Sequence, residues 1–361
     1  MPTTIPADIA NLIQKRPKTD DEYNLLRNYF STILGTNYSD FVRAVHSVSE
    51  QIKMDIGIEE AFRFMKSALE VFERDGAAHF SPKLFLLYAI SELCHECGDY
   101  KALRTYVYRY YFNAVSNVCI NNVNRDMGFY SFRSISKYSL DDIANETISA
   151  AHPRMFNDPL DTLLDWWIAE NIKKESPDFN TQFAIMLKKA NEHLRVRCLI
   201  GDKQGGHTKD IEQLPVLMWS HYADSHKGFC IRYEFPDSLF QDFNINKKIL
   251  KFIHPVSYDF PQITLNTVPG MKEGLFTKSR EWSYENEMRF VCLDFSDGEE
   301  RKKEYPTFGC RGAMKEIYLG VRCSDTGQRA VEKAIADKDV KLFKMQIDKD
   351  NPTKLLKYRI G

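Results

Sequence analysis

The sequence predicts an α+β protein, in which an all-helical N-terminal module precedes a domain built on a mixed, mainly antiparallel sheet with flanking helices. Between about Asp20 and Phe112, apolar residues recur at spacings of three and four, as on the buried face of a helix. From Gly128 onward, short runs typical of strands are interspersed with helical runs. Helices do not alternate strictly with strands, which disfavours a doubly wound parallel sheet. We therefore place the helical module at residues 1–121 and the α+β domain at residues 122–361.

The helical module consists of five segments with helical spacing. They read DEYNLLRNYFSTIL, DFVRAVHSVSEQI, IEEAFRFMKSALEVFE, PKLFLLYAISELCHE and YKALRTYVYRYYF, and Gly76 and Gly98 separate some of them. The stretch YAISELCHECGDYKALRTYVYRYY resembles one helical hairpin of the tetratricopeptide type. That resemblance implies a surface that holds a protein partner.

The strands of the α+β domain are predicted from short apolar or alternating runs. In chain order these are GFYSFRSI, HLRVRCLI, GFCIRYEF, ILKFIHPVSYDF, EMRFVCLDF, KEIYLGV, VKLFKMQI and KLLKYRI. Helices are predicted for SLDDIANETISA, for the segment after FNDPLD, for VLMWSHYADSHK and for DTGQRAVEKAIADKD. Ser139 is expected to cap the first of these helices, because serine accepts backbone hydrogen bonds at helix N-termini.

The composition excludes several classes of protein. The chain has 361 residues, 43% of them hydrophobic, and a formal charge of −1, so no overall charge attracts nucleic acid or acidic membranes. The first residues lack the pattern of a signal peptide, and no apolar run approaches the roughly 20 residues that span a bilayer. We expect a cytoplasmic protein without a membrane partner, and nucleic acid is not indicated as a partner.

The common metal and nucleotide motifs are missing from the sequence. Eight cysteines include one close pair, Cys94 and Cys97, but a structural zinc site usually takes four ligands and no second CxxC occurs. We expect these cysteines to be reduced and mostly buried, and we expect no metal. There is also no GxxxxGK[ST], GxGxxG, GxSxG or HExxH motif, so the commonest nucleotide-binding and hydrolase sites are unsupported.

The segment REWSYENEMRF, residues 280–290, is predicted to be a strand with one apolar and one charged face. The apolar face is formed by Trp282, Tyr284, Met288 and Phe290. The other face carries Glu285 and Glu287 roughly 6–7 Å apart, with Arg289 beside them. Two carboxylates this close raise each other's pKa unless a cation offsets the repulsion. The pattern is typical either of an ion-paired sheet surface or of an active site.

Three further segments carry candidate site residues. In FNDPLD, Asp158 and Asp161 fit a helix N-terminus, and Asn157 is placed to face a ligand. In MWSHYADSHKG, helical spacing puts Trp219, Tyr222, Ala223 and His226 on one face. That face either packs in the core or binds a ligand. In FYSFRS, Arg133 either binds an anion or pairs with a glutamate.

Taken in order, these motifs resemble an uncharacterised bacterial group, domain-of-unknown-function family 2971. The resemblance rests on FYSFRS, HPRMFNDPLD, MWSHYADSHKGFCIRYEF, VSYDF, KSREWSYENEMRF and IYLGV. It covers roughly residues 128–321 and leaves out the helical N-terminal third. The family name implies no activity.

The same order also resembles, more distantly, the ADP-ribosyltransferases, and that resemblance does imply chemistry. In those enzymes an arginine or histidine on an early strand holds NAD, and the last glutamate of a late strand polarises the glycosidic bond of NAD. Here the resemblance implies that Arg133 anchors NAD, that Glu287 is the catalytic carboxylate and that Glu285 orients the acceptor. The rest of the NAD pocket would be formed by Tyr130, Phe156, Asn157, Trp219, Tyr222 and His226. A carboxylate suits the cationic transition state at ribose C1′.

Two other functions stay open at this point. One is a non-enzymatic sensor whose helical module binds a protein and whose α+β domain binds a small ligand. The other is a magnesium-dependent nuclease that uses Asp158, Asp161, Glu285 and Glu287. A transferase predicts Arg133 and Glu287 across one cleft on neighbouring strands. A nuclease predicts that the four carboxylates converge, and a sensor predicts a surface ladder of ion pairs.

Overall fold

The chain divides into a helical unit and an α+β unit. The helical unit comprises Met1–Asn117 and Trp166–Asn191, and the α+β unit comprises Val118–Asp165 and Glu192–Gly361. The computed structural model describes residues 6–15, 18–34, 38–75, 80–119, 127–156, 158, 161, 177–204, 207–236, 239, 249–259, 274–295 and 306–360. Within these residues, no helix combines the length and the apolar character needed to cross a membrane.

The helices lie where helical spacing predicts them over most of the N-terminal region. In chain order the helices are α1 (Ala7–Gln14), α2 (Asp20–Leu34), α3 (Tyr38–Asp55), α4 (Ile58–Asp75), α5 (Phe80–Glu96), α6 (Tyr100–Cys119), α7 (Lys137–Ala144), α8 (Phe179–Asn191), α9 (Leu217–Tyr222) and α10 (Asp325–Ile335). Helices α5 and α6 form the predicted hairpin, and Gly98 has φ +72° in the turn between them. A positive φ is a conformation that glycine adopts without strain.

The helical unit is larger than the predicted module of residues 1–121, because it also includes α8. Phe183 of α8 lies 5.1 Å from the ring of Tyr88 and 5.3 Å from the ring of Tyr110. The Tyr111 hydroxyl donates a 2.5 Å hydrogen bond to Asn191. These aromatic contacts join α8 to α5 and α6. Helix α8 therefore belongs to the helical unit, whereas the prediction placed it in the domain of residues 122–361.

The α+β unit is built on an eight-stranded mixed sheet that is mainly antiparallel, as predicted. Its strand order is β12-β11-β10-β6-β1-β3-β8-β7, and only β10 and β11 are parallel. Short ribbons pair β2 with β9 and β4 with β5. The strands are β1 (Phe129–Arg133), β2 (Thr147–Ser149), β3 (Leu194–Gly201), β4 (Lys203–Gln204), β5 (His207–Thr208), β6 (Phe229–Tyr233), β7 (Ile249–Pro255), β8 (Glu287–Asp294), β9 (Thr307–Gly309), β10 (Met314–Leu319), β11 (Lys341–Ile347) and β12 (Leu355–Arg359).

The two faces of this sheet carry separate cores. Directly paired residues of neighbouring strands point to the same side, so the row Tyr130, Ile200 and Glu287 defines one face, the Glu287 face. Trp219 of α9 packs edge-to-face on Phe132 there, with 5.0 Å between ring centroids. The opposite side is the Arg133 face. It buries a larger apolar cluster that includes side chains from β1, β3, β6, β8 and β10 and from α7 and α10.

The prediction of one continuous strand across residues 280–290 is wrong. Arg280–Glu285 forms a 3₁₀ helix, Asn286 adopts a left-handed conformation at φ 45°, and the strand begins at Glu287. Asparagine tolerates this conformation better than most residues, so it allows the chain to turn from helix into strand. Trp282 and Tyr284 consequently lie half-buried within the 3₁₀ helix and do not anchor a strand in the core.

Two helix predictions also change at their ends. The helix predicted for VLMWSHYADSHK ends at Tyr222, and the three residues Asp224–His226 all have positive φ, between 48° and 69°. Such a run of non-glycine residues is strained and persists only where the surroundings fix it. In α7 the N-cap is Ser136, and Ser139 completes a capping box from the third helical position.

Candidate functional site

A buried ionic cluster on the Glu287 face brings together residues that the sequence predicted for the site. We call it the Lys278 cluster, and its members are Asp161, Lys278, Glu285, Glu287 and Arg289. Each is at most 4% exposed. The Lys278 ammonium donates to Glu285 at 2.7 Å and to Glu287 at 3.1 Å, and it lies 3.5 Å from an Asp161 oxygen. One ammonium therefore holds two carboxylates that are close in the sequence, Glu285 and Glu287, and one that is distant, Asp161.

Arg289 completes the cluster from the same strand as Glu287. Its Nε donates to Glu287 at 2.7 Å, and its Nη2 donates to the Asp161 carboxylate. The guanidinium also donates to the backbone carbonyls of Asp161 and Leu275. Side chains two residues apart on a strand share a face, which explains why Glu287 and Arg289 meet. The cluster thus contains three carboxylates and two cations.

The three carboxylates have different protonation behaviour. Burial raises the pKa of Glu287, but the charges of Arg289 and Lys278 outweigh burial and lower that pKa to about 2. Burial dominates at Glu285, and its pKa is raised despite the hydrogen bond from Lys278. Burial also raises the pKa of Asp161 against the opposing charge of Arg289. One carboxylate is therefore fixed as an anion, whereas two are easier to protonate.

Two tyrosines hold the glutamates from either side. The Tyr222 hydroxyl, at the end of α9, donates to Glu285 at 2.7 Å. The Tyr258 hydroxyl accepts a 2.8 Å hydrogen bond from the backbone N–H of Glu287. Burial first, and then the hydrogen bond to Glu285, raises the pKa of Tyr222, so its hydroxyl stays a donor. Glu285 thus has one oxygen bonded to a neutral phenol and the other to an ammonium.

An aromatic group lies beside the cluster and is more accessible than the carboxylates. The indole of Trp282 lies under the Lys278 ammonium, with 4.9 Å between the nitrogen and the ring centroid. His221 and Tyr284 each lie 6.1 Å from the Trp282 ring. The Trp282 N–H donates to Asp158 at 3.1 Å. His221 is exposed, and the ring planes are tilted from Trp282 by 71° for His221 and by 39° for Tyr284, so these rings form an accessible aromatic group beside Glu285.

Most of the predicted site residues lie on the Glu287 face. Tyr222 bonds Glu285 directly, and Lys278 bonds both Glu285 and Glu287. Tyr130 lies in the same register row as Glu287. Phe156 lies 5.7 Å from the Arg289 guanidinium. Trp219 packs on Phe132, and the His226 ring stacks on Trp219 at 6.3 Å with 13° between the planes. His226 therefore meets Trp219 through the left-handed turn and not through a shared helix.

Arg133 is not part of this site, so the prediction that it lies across a cleft from Glu287 is wrong. Strand β3 separates β1 from β8. Alternation along β1 places Arg133 on the opposite face from Tyr130, because the two residues are an odd number of positions apart. The Arg133 guanidinium instead bonds Asp142 and the Ser149 hydroxyl.

The structure also bears on the arrangements of residues predicted for the two alternative functions. Three of the four carboxylates proposed for a magnesium site do converge, but the Lys278 ammonium lies between them. Within the described residues, no group of three or more His, Cys, Asp or Glu side chains is placed to hold a metal ion. A surface ladder of ion pairs is wrong, because the pairs are buried. Asn157 and the helix predicted after FNDPLD lie outside the described residues.

Sequence reasoning did not identify the residue at the centre of the cluster. Lys278 precedes Glu285 by seven positions, and the 3₁₀ helix folds the chain back so that the two side chains meet at 2.7 Å. Tyr258 was also missed. The available signal was the composition of KSREWSYENEMRF, in which a lysine precedes three glutamates inside an aromatic segment.

The comparisons with known proteins support part of the resemblance found in the sequence. Residues 218–290 match the family described as Protein of unknown function (DUF2971). This span runs from α9 to the Glu285, Glu287 and Arg289 part of the cluster. The search of curated proteins gives no match, and the search of solved structures gives none. The resemblance to DUF2971 is thus confirmed for residues 218–290.

Proposed function

We propose that the Lys278 cluster is the active site of an ADP-ribosyltransferase-like enzyme that cleaves the glycosidic bond of NAD. The observation that carries the proposal is the geometry of two neighbouring carboxylates: Glu285 and Glu287 share the Lys278 ammonium but differ in their other partners, Tyr222 for Glu285 and Arg289 for Glu287. Glu287 has a pKa lowered to about 2, and Glu285 has a raised pKa. Pairs of titratable groups with diverging pKa values are characteristic of acid–base catalysis.

The reaction uses Glu285 as the base and the charge of the whole cluster to stabilise the transition state. The bond between nicotinamide N1 and ribose C1′ breaks, and its electron pair stays on N1. The oxygen or nitrogen of an acceptor, or water, forms the new bond to C1′ and loses its proton to Glu285. Positive charge develops at C1′ in the transition state. The cluster, with one carboxylate more than it has cations, is a favourable environment for that charge.

The neighbouring aromatic side chains suit the flat rings of a dinucleotide. Trp282, Tyr284 and His221 lie next to Glu285, and ring stacking on such residues contributes to binding without fixing a substrate's identity. Tyr222 holds the Glu285 carboxylate in one orientation, which a base needs if it is to meet the acceptor's proton. Arg133 has no task in this proposal, since it lies on the other face.

The experiment is nicotinamide release from NAD by the purified full-length protein. The Glu285→Gln variant keeps the shape of the side chain but cannot accept a proton. We expect it to lower the rate about 10²–10⁴-fold, the range for losing a general base. Glu316→Gln is the matched control, because Glu316 also accepts a tyrosine hydroxyl hydrogen bond but lies on β10. Equal rates for wild type and Glu285→Gln would contradict the proposal.

A further inference from the structure

The Arg133 face contains a second polar cluster with the opposite charge balance. We call it the Arg197 cluster, and its members are Ser131, Arg133, Asp142, Ser149, Arg197 and Tyr233. Strands β1, β3 and β6 supply both arginines, Ser131 and Tyr233, whereas α7 and β2 supply Asp142 and Ser149. Two guanidinium groups thus lie near one carboxylate inside a cluster of otherwise apolar side chains.

The single carboxylate is fully used by its own neighbours. Asp142 is 1% exposed, and its Oδ2 accepts from Arg133 and from the Ser149 hydroxyl at 2.6 Å. Its Oδ1 accepts from Thr147 at 2.9 Å. The hydrogen bonds that Asp142 accepts thus come from Arg133, Ser149 and Thr147, and none of them comes from Arg197.

Arg197 is half-buried inside an otherwise apolar cluster, and its hydrogen-bond partner is a neutral hydroxyl instead of an anion. Among the described residues, its Nε and Nη2 both donate to the Ser131 oxygen, at 3.2 and 2.9 Å. Burial, and then the nearby charge of Arg133, lowers the pKa of Arg197 to about 10. The group is still charged at neutral pH, so the cluster holds an uncompensated positive charge. Such a charge is costly in a protein interior unless an anion joins it.

The Tyr233 hydroxyl provides a second, independent observation. Tyr233 is 0% exposed, and its hydroxyl has no hydrogen-bond partner among the described residues. The phenol lies within the electrostatic influence of Arg133 and Arg197. Buried polar groups nearly always have a partner, so an unused donor close to two guanidinium groups indicates a missing acceptor.

We propose that the Arg197 cluster binds a small oxyanion of the phosphate or sulfate type. The flat guanidinium of Arg197 presents paired N–H donors, which match the spacing of oxygens on such an anion. The Tyr233 hydroxyl donates to another oxygen of the same anion. Arg133 and Arg197 are half-buried, so solvent reaches the cluster. The site lies on the opposite face from the Lys278 cluster and does not depend on the proposed function.

The test is the melting temperature of the full-length protein, exchanged into phosphate- and sulfate-free buffer, as sodium phosphate is added. A saturable rise in Tm is expected, of roughly 5–10 °C at 100 times Kd. Sodium sulfate should act like phosphate. Sodium chloride at the same ionic strength should act much less, because chloride is monatomic and has no pair of oxygens to accept the two guanidinium N–H groups. An equal rise with chloride, or no rise at all, overturns the proposal.

Variants assign the effect to the cluster. Arg197→Met keeps bulk but removes the charge, so the phosphate-dependent rise should disappear. In phosphate-free buffer this variant should melt at or above the wild-type temperature, since an uncompensated charge is gone. Tyr233→Phe should keep the fold and move the phosphate titration to higher concentration. Arg195→Met, two positions earlier on β3, should retain the wild-type response. A rise that persists in Arg197→Met, or an unchanged titration in Tyr233→Phe, overturns the proposal.

Discussion

The two faces of the eight-stranded sheet bury charged clusters that differ in which sign is in excess. In the Lys278 cluster, three carboxylates surround two cations, and each cation bonds more than one carboxylate. The Arg197 cluster contains one carboxylate and two cations. Arg133 bonds the carboxylate, whereas Arg197 bonds the Ser131 hydroxyl. Shared hydrogen bonds hold the first cluster together as a network. The second holds an arginine whose hydrogen-bond partner among the described residues is a hydroxyl, and we propose that an anion from solution balances it.

This difference predicts which substitutions each cluster tolerates. Removing the one group that balances several opposite charges leaves buried charges without partners, which is far more costly than removing a group that is in excess. In the Lys278 cluster the excess charge is negative, but Glu287 accepts hydrogen bonds from both cations, whereas Glu285 is bonded to Lys278 alone of the two. In the Arg197 cluster the excess charge is positive, and Asp142 is the carboxylate that balances it. The largest effects should therefore come from Glu287 and Asp142, and the smallest from Glu285.

Glu287→Gln should give a large loss of stability. The change leaves Arg289 and Lys278 with fewer anions and should cost about 3–5 kcal/mol in the free energy of unfolding. Urea unfolding measures it, and Glu234→Gln, at a half-exposed ion pair with Arg232, should cost less than about 1 kcal/mol. A cost for Glu287→Gln below that of Glu234→Gln would show that the network does not depend on this carboxylate.

Asp142→Asn should destabilise the protein to a similar extent, by about 3–5 kcal/mol, because Arg133 and Arg197 then have no carboxylate between them. Unlike Glu287→Gln, this loss should be partly reversed by phosphate, which supplies negative charge to the same cluster. The measurement is urea unfolding of both variants with and without phosphate. Reversal in both variants, or in neither, would remove the distinction between the two clusters.

Tyr222→Phe should have an intermediate effect. It removes the hydrogen bond to one Glu285 oxygen, and hydrogen bonds to charged groups contribute about 1.5–3 kcal/mol. Tyr358→Phe, at a more exposed tyrosine, serves as the control and should change the free energy of unfolding by less than about 0.5 kcal/mol. If the two variants have equal stability, the contact between Tyr222 and Glu285 does not stabilise the cluster.

Glu285→Gln should have the smallest effect, and its sign should depend on pH. The pKa of Glu285 is raised by burial, so its charged form destabilises the fold at neutral pH and this cost disappears as pH falls through the raised pKa. At about pH 7 the variant should be as stable as wild type or slightly more stable, and that advantage should vanish by about pH 4.5.

Glu287 gives the opposite dependence on pH. Its lowered pKa means that its stabilising contribution is present above the ordinary value of 4.5 and is lost as pH falls towards about 2. Urea unfolding of wild type and of both glutamate variants across this range separates the two. Parallel curves for Glu285→Gln and Glu287→Gln would mean that the glutamates do not differ in their environments.

Much of this fold was predictable from the sequence because local patterns determine it. Runs such as FCIRY and FYSFR are short and mostly apolar, and they form β6 and β1 as predicted. The 3₁₀ helix before Glu287 was not predictable from the sequence pattern. In WSYENEMRF the apolar and polar residues alternate as they do in a strand, although the backbone turns at the left-handed Asn286. Helix α8 shows the same limit, since the aromatic contacts that assign it to the helical unit come from distant segments.

The candidate site was predictable in part for the same reason. Glu285, Glu287 and Tyr222 were predicted from spacing, and they meet. Arg133 was assigned by resemblance, but its position on β1 places it on the other face, which depends on register across three strands. Lys278 contacts Asp161, which lies 117 positions earlier in the sequence. Only the folded chain reveals this contact.

The most direct test of the central claim is the pH dependence of nicotinamide release from NAD by wild type and by Glu285→Gln. A base whose pKa is raised predicts a wild-type rate that increases with pH and then levels off above that pKa. Glu285→Gln, which stays folded, should give a low rate without this increase. No release of nicotinamide by the wild type, or the same pH profile in both proteins, would contradict the assignment of the Lys278 cluster as the active site.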